Sequence, residues 1–183
     1  MLMQRQDAAL LVVDIQDKLL PAVHDADGLL KRSRWLVAAA RDHQLPIVFS
    51  EQYPRGLGGT AAALREAAPE APTVDKLHFS CVAADCLPPL LTDKRQIIVC
   101  GMEAHVCVLQ TALELLQAGK QVFVVADAVS SRKASDVELA LARMRAAGAQ
   151  IVSREMVLFE LLRQSGSDHF KQMSQRYLMG EQP

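Results

Sequence analysis

The sequence predicts an α/β fold: a three-layer α/β/α arrangement in which a mostly parallel sheet carries helices on both faces. Three observations lead to this. Short apolar runs without polar alternation recur at residues 8–15, 45–50, 97–100, 121–126 and 150–153, and a strand covered on both faces reads apolar throughout. Stretches of helical period lie between them. Strand and helix signals alternate along the chain, the order expected for parallel strands joined by crossover helices. With 183 residues, half of them hydrophobic and 22% charged, the chain reads as a single domain, 1–183, with a substantial core.

Taken in order, residues 8–15 form the first buried strand. Asp14 stands at its tip, where an unpaired carboxylate costs free energy; it also suits an ordinary turn. Gln16 and Asp17 continue outward. In the helix predicted over 28–43, Leu29, Leu30, Leu36, Val37 and Ala40 face the sheet, and Lys31, Arg32, Arg34 and Arg41 face mostly outward. Trp35 is a core or interface residue. The strand at 45–50 begins with Pro46, tolerated at strand starts. Residues 50–60, SEQYPRGLGGT, read as a loop because of Pro54 and three glycines. They lack the Lys-Ser/Thr pair of a phosphate-binding loop. Glu51, Gln52 and Tyr53, together with Gln16, are polar groups within reach of a substrate at this rim, or else parts of a flexible connection.

Residues 60–68 predict an alanine-rich helix and 74–76 a short strand ending at Lys76. A short helix broken by Pro88 and Pro89 is expected over 82–91. Residues 97–100 are a strand broken at Gly101. Helical period then resumes with Val108, Thr111, Ala112, Leu115 and Leu116, and stops at Gly119. Cys107 falls where this helix should begin. Unpaired N–H groups and the helix dipole there favour negative charge, so the thiol is expected to ionise more readily. A strand over 121–126 ends at Asp127. A helix over 135–147 has Ser135 as N-cap with Glu138 closing a capping box. A last strand at 150–153 and helices at 156–164 and 168–178 complete the chain.

Composition excludes several function classes. A net charge of -1 and 4% aromatic residues supply neither a basic surface nor stacking platforms, so no nucleic-acid partner is expected. No apolar run spans a bilayer. Asp7, Asp14 and Asp17 interrupt the N-terminal apolar stretch, which is therefore not a signal peptide; no membrane association and a cytoplasmic location are expected. The four cysteines contain no C-x-x-C pair, so neither a disulfide framework nor a zinc site is expected. Cys81, Cys86 and Cys100 read as packing residues. His24, His43, His78 and His169 lack ligand spacing. No metal and no cofactor are expected. His105, two residues before Cys107, faces a different direction at a helix start and is a candidate pocket residue.

Asp14, Lys76 and Cys107 each follow or end a strand, and strand ends in such a sheet converge on one rim. A thiol nucleophile, a carboxylate base and an ammonium form equipment for acyl transfer, the ammonium holding its partners in charged form. Backbone N–H groups at a helix start can hold the oxyanion.

These residues carry a resemblance. LLVVDIQ (10–16), the lysine of VDKLHFSC (74–81) and CGMEAHVCVLQTALELLQAGKQVFVVADAVSSR (100–132) resemble the isochorismatase-like hydrolases, a superfamily of cysteine hydrolases. The likeness covers nearly the whole chain and is nearest to a subgroup of isochorismatase-domain proteins of unassigned substrate. It implies a six-stranded Rossmann-like sheet, a catalytic triad of Asp14, Lys76 and Cys107, and a cis peptide at Met102-Glu103. It also implies an oxyanion hole from the backbone N–H groups of Glu103 and Cys107, and a homo-oligomer, dimer or tetramer. Nicotinamidases of this superfamily hold a metal through histidines and an aspartate in the loop that here is SEQYPRGLGGT, which has neither. Cys107 points to the amide-cleaving branch rather than to vinyl-ether cleavage. The function expected is metal-independent hydrolysis of a small amide or related C–N substrate. A regulatory binding module, a vinyl-ether hydrolase and an RNA-directed enzyme are the alternatives.

Overall fold

In the computed structural model, which describes residues 1–179, six strands form one sheet. The end of the predicted 1–183 domain, residues 180–183, lies outside the described residues. The strands are β1 (Ala8–Val13), β2 (Ile47–Gln52), β3 (Thr73–Lys76), β4 (Gln96–Met102), β5 (Gln121–Ser130) and β6 (Gln150–Val152). They pair in the order β3-β2-β1-β4-β5-β6, all parallel. The order reverses between β1 and β4, so the crevice beyond their carboxyl ends is the place where such sheets bind ligands.

The helices are α1 (Ala26–Asp42), α2 (Pro54–Leu57), α3 (Ala62–Ala67), α4 (Pro89–Thr92), α5 (Leu109–Gln117), α6 (Ala134–Ala146), α7 (Arg154–Leu162) and α8 (Asp168–Ser174). They build two separate cores. Leu10, Val12, Phe49, Ile98 and Phe123 pack with α1, α3, α7 and α8. Leu11, Val13, Val48, Ile97 and Val99 pack with α4, α5 and α6. Neighbouring residues of one strand thus enter opposite cores, which is why the strands read apolar without alternation. Trp35 is a core residue, edge-on to Tyr177 with ring centroids 5.1 Å apart.

Several predicted boundaries move, each for a physical reason. β2 runs past Ser50 to Gln52 because Glu51 and Gln52 pair with Asp75 and Lys76 of β3. The predicted loop therefore starts at Tyr53 and contains the turn of α2. β5 continues past Asp127 to Ser130, where it pairs with Met102. The helix expected over 82–91 is instead a turn followed by α4, because Pro88 and Pro89 cannot donate to a continuing helix. Lys133, not Ser135, is the N-cap of α6, which has no side-chain cap; a Ser N-cap with reciprocal bonds occurs at Ser153 of α7. Cys107 does not begin an α-helix: it lies in a π-helical turn, Ala104–Val108, that precedes α5.

Gly101 lets β1 and β4 lie together above the site. It has φ +129°, and a Cβ there would meet the Val13 carbonyl oxygen at 2.1 Å. Backbone cannot give way as a flexible side chain can, so Gly101→Ala should prevent folding or sharply lower the thermal midpoint. Gly119→Ala, also at positive φ (+79°) but with nothing within 4 Å, should cost only about 1–2 kcal/mol. Denaturant unfolding of the two variants checks the contrast; equal losses would mean that the β1–β4 contact does not require glycine.

Candidate active site

β1 ends at Val13, and Asp14 turns the chain with φ +53°, a left-handed conformation that a non-glycine residue adopts at some cost. This turn leaves the Asp14 side chain buried at the strand tip, at 1% exposure. Lys76 closes β3, two strands away. Its ammonium donates to Asp14 Oδ2 at 2.6 Å, and the side chains of the pair are essentially sealed from solvent. Further hydrogen bonds support the pair: Ser50 Oγ donates to Asp14 Oδ1 at 2.7 Å, and Lys76 Nζ donates to Gln52 Oε1 at 2.8 Å. A buried ion pair needs such additional hydrogen bonds to offset its desolvation. Burial alone would lower the Lys76 pKa, but the charge and hydrogen bond of Asp14, together with the neighbouring sulfurs when they are ionised, outweigh it and raise it.

Cys107 is buried on the same rim, at 7% exposure. Burial first, then the negative charge of Asp14, push its thiol up to about 12 against the opposing attraction of Lys76. The expectation of a readily ionised thiol is thus corrected. The π-turn does not present Cys107 as the first residue of a long helix, and burial and the Asp14 carboxylate both favour the protonated thiol. Aspartate, ammonium and thiol together carry no net charge; a thiolate added to them would leave an uncompensated buried charge.

The other predicted residues separate into two groups. Gln16 is fully buried and its amide is consumed: Nε2 donates to the carbonyls of Gln52 and Gly58 at 3.1 and 2.6 Å, and Oε1 accepts from Gln52 N at 2.7 Å. Glu51 Oε1 accepts from Thr60 N and Thr60 Oγ1 at 2.6 and 2.7 Å. Gln16 is a clasp on the 52–58 segment rather than a group open to a substrate, and Glu51 ties down Thr60 through one carboxylate oxygen. Gln52 faces Lys76. Tyr53, 51% exposed, borders a cavity of about 470 Å³ with Arg55, Leu77, His78 and Lys76. That cavity reaches the lysine but is not lined by Cys107.

His105 Nδ1 lies 2.9 Å from Ser131 Oγ, and Glu103 pairs with Arg132 at 2.7 Å. The Met102-Glu103 peptide is cis. Thr111 Oγ1 accepts from Cys81 N at 3.1 Å. Among the described residues, no three His, Cys, Asp or Glu side chains form a metal-holding group, and no helix is long and apolar enough to cross a membrane. Ser50 was missed in the sequence because a serine in a buried strand is unremarkable until its partner is known. Arg132 was missed because its partner, Glu103, lies on a different strand end.

Residues 8–156 match the model of the isochorismatase domain. The chain belongs to the isochorismatase domain family. Similar proteins include the secreted isochorismatase effector Isc1 of Phytophthora sojae, 35% identical over 91% of this chain and 82% of its own length. A MAR1 ribonuclease structure from Caenorhabditis elegans is 36% identical with TM-score 0.91, covering 100% of this chain and 95% of its own. The YcaC gene product of Escherichia coli, described as an octameric hydrolase of unknown specificity, is 29% identical with TM-score 0.82, covering 89% and 83%.

The held proton on Cys107 has a direct readout. Iodoacetamide should alkylate this residue slowly at neutral pH and faster as pH rises beyond the ordinary thiol value of 9.0. Asp14→Asn removes the nearby negative charge and should speed the reaction severalfold at any fixed pH below that. A rate that already levels off near neutrality, mapped to Cys107 by peptide mass, would show that the thiol is not held protonated.

Proposed function

We propose that this protein is a metal-independent cysteine hydrolase of a small amide or related C–N substrate, working through a thioester on Cys107. The observation that carries the reading is the sealed Asp14–Lys76 pair beside the buried Cys107 side chain. In that cluster a proton can move without changing the net charge. As substrate binds, the Cys107 thiol gives its proton to Asp14, and the thiolate takes over the attraction of Lys76 that the carboxylate gives up. The sulfur bonds to the carbonyl carbon, and the backbone N–H groups of Glu103 and Cys107 hold the oxyanion. Collapse breaks the C–N bond and the amine leaves with the proton from Asp14. Water, deprotonated by Asp14, then attacks the thioester, releasing the acid and restoring the thiol.

Tyr53 and His105 are the proposed substrate contacts; Gln52 acts on the substrate only through Lys76. Self-assembly into a homo-oligomer is part of the proposal, supported by the octameric E. coli relative. All four cysteines are free, which fits a reducing compartment such as the cytoplasm. The ribonuclease name of the C. elegans relative favours a second reading, phosphodiester cleavage. Against it, the one cation in the cluster is closed off by Asp14 and Gln52, and the chain has no basic excess.

A screen of small amides, ureides and carbamoyl compounds should find turnover accompanied by an acyl adduct on Cys107, seen as a mass increase on rapid acid quench. Cys107→Ala should fold and lose turnover, and Lys76→Met and Asp14→Asn should lose about 10²–10⁴-fold. Full activity of Cys107→Ala would refute the thioester and favour acid-catalysed vinyl-ether cleavage, which needs no thiol. Degradation of RNA by the wild type but not by Cys107→Ala would favour the second reading.

A further inference from the structure

Cys81 and Cys86 close a turn that the hydrolytic reading does not use. The Cys86 backbone N–H donates to the Cys81 carbonyl at 3.4 Å, and the Cys86 thiol donates to the same carbonyl at 3.4 Å. A backbone bond spanning five residues folds the chain back as a Schellman turn does. The two side chains therefore start from neighbouring backbone, the condition for a disulfide, whose Cα atoms stand about 4.4–6.8 Å apart. The two thiols act on each other's ionisation, and the Ser50 hydroxyl that holds Asp14 acts on that of Cys81. Both cysteines are free. Cys81 is fully buried, whereas Cys86 is partly exposed.

The pair is chemically unequal. The hydrogen bond from Cys81 holds the Cys86 thiol below its ordinary value despite partial burial, and the Lys76 charge acts in the same direction. The same contact, then burial, push Cys81 well above. Thiolate character and exposure both select Cys86 as the sulfur that reacts first, with a protected thiol beside it.

We propose that Cys86 and Cys81 are a hydroperoxide-reactive dithiol, a site of reversible oxidation separate from Cys107. The Cys86 thiolate attacks one oxygen of the hydroperoxide. The O–O bond breaks, an S–O bond forms, and the departing oxygen leaves as hydroxide or alkoxide and is protonated. The sulfur has given up two electrons and is now a sulfenic acid. Cys81 sulfur then attacks Cys86 sulfur, losing its proton; the S–O bond breaks, water leaves, and the Cys81–Cys86 disulfide remains.

Peptide mass after mild oxidation tests this. The full chain is treated with hydrogen peroxide at neutral pH, blocked with N-ethylmaleimide under denaturing conditions, and cut with trypsin. Residues 77–94, which carry Cys81 and Cys86, are then released apart from residues 96–120, which carry Cys100 and Cys107. The first peptide should be two hydrogens lighter and unblocked, reversed by dithiothreitol, and should form faster in the native chain than in urea. Cys86→Ser should leave Cys81 reduced and blockable, and Cys81→Ser should leave Cys86 as a sulfenic acid trapped by dimedone. The proposal is overturned if residues 77–94 return with both thiols blocked while residues 96–120 are oxidised. It is equally overturned if Cys86 passes to sulfinic acid with Cys81 still blockable, or if folded and unfolded chains react alike.

Discussion

The buried ion pair between Asp14 and Lys76 is the constraint on which the site depends. Removing two charges from water costs several kcal/mol per ion, and attraction offsets this only when the geometry is good and the remaining donors and acceptors are used. Here Ser50 donates to the second carboxylate oxygen, and Gln52 accepts a second hydrogen bond from the ammonium. All four residues come from three adjacent strands. The parallel register that sets Gln52 opposite Lys76 is thus also the register that solvates the lysine from within the protein. A slip of one residue in β3 would turn Lys76 to the opposite face and leave Asp14 buried without a cation.

That pair governs the thiol. In isolation a cysteine near a helix start reads as an activated nucleophile. Beside a buried carboxylate already matched to one ammonium, the same cysteine is pushed toward its protonated form, because loss of the proton to solvent would leave the buried cluster with a net negative charge. In the proposed reaction, activation therefore belongs to a proton transfer inside the cluster rather than to a resting thiolate. A neutral resting site also limits unwanted alkylation and oxidation of Cys107, since the thiolate is the reactive form.

The segment after β2 shows how polar side chains hold a rim in place. Gln16 looks like a substrate ligand when read from its position after a strand, yet it spends its hydrogen bonds on the backbone of Gln52 and Gly58, and Glu51 commits one carboxylate oxygen to Thr60. A buried amide with a full set of partners is a structural clasp, and its position beside a site follows from where loops must be tied down. Tyr53, at positive φ and half exposed, faces the cavity together with Pro54 and Arg55 of that stretch.

The order of strands and helices, the two-sided burial of the sheet and the residues Asp14, Lys76 and Cys107 were legible in the chain, because each rests on local pattern or on residue type at a strand end. Boundaries shifted where pairing extended a strand, as at Glu51–Gln52 and Asp127–Ser130, since a partner strand supplies hydrogen bonds that no local pattern reveals. The helix over 82–91 failed because two adjacent prolines outweigh the apolar spacing before them. By itself the sequence determined the layers of this protein and the chemical groups available to it. Only the tertiary structure decided which polar groups are clasps, which cation and carboxylate meet, and where the proton rests on Cys107. Those outcomes depend on distances and burial among residues some sixty positions apart along the chain, as Asp14 and Lys76 are, and a one-dimensional pattern carries no such distances.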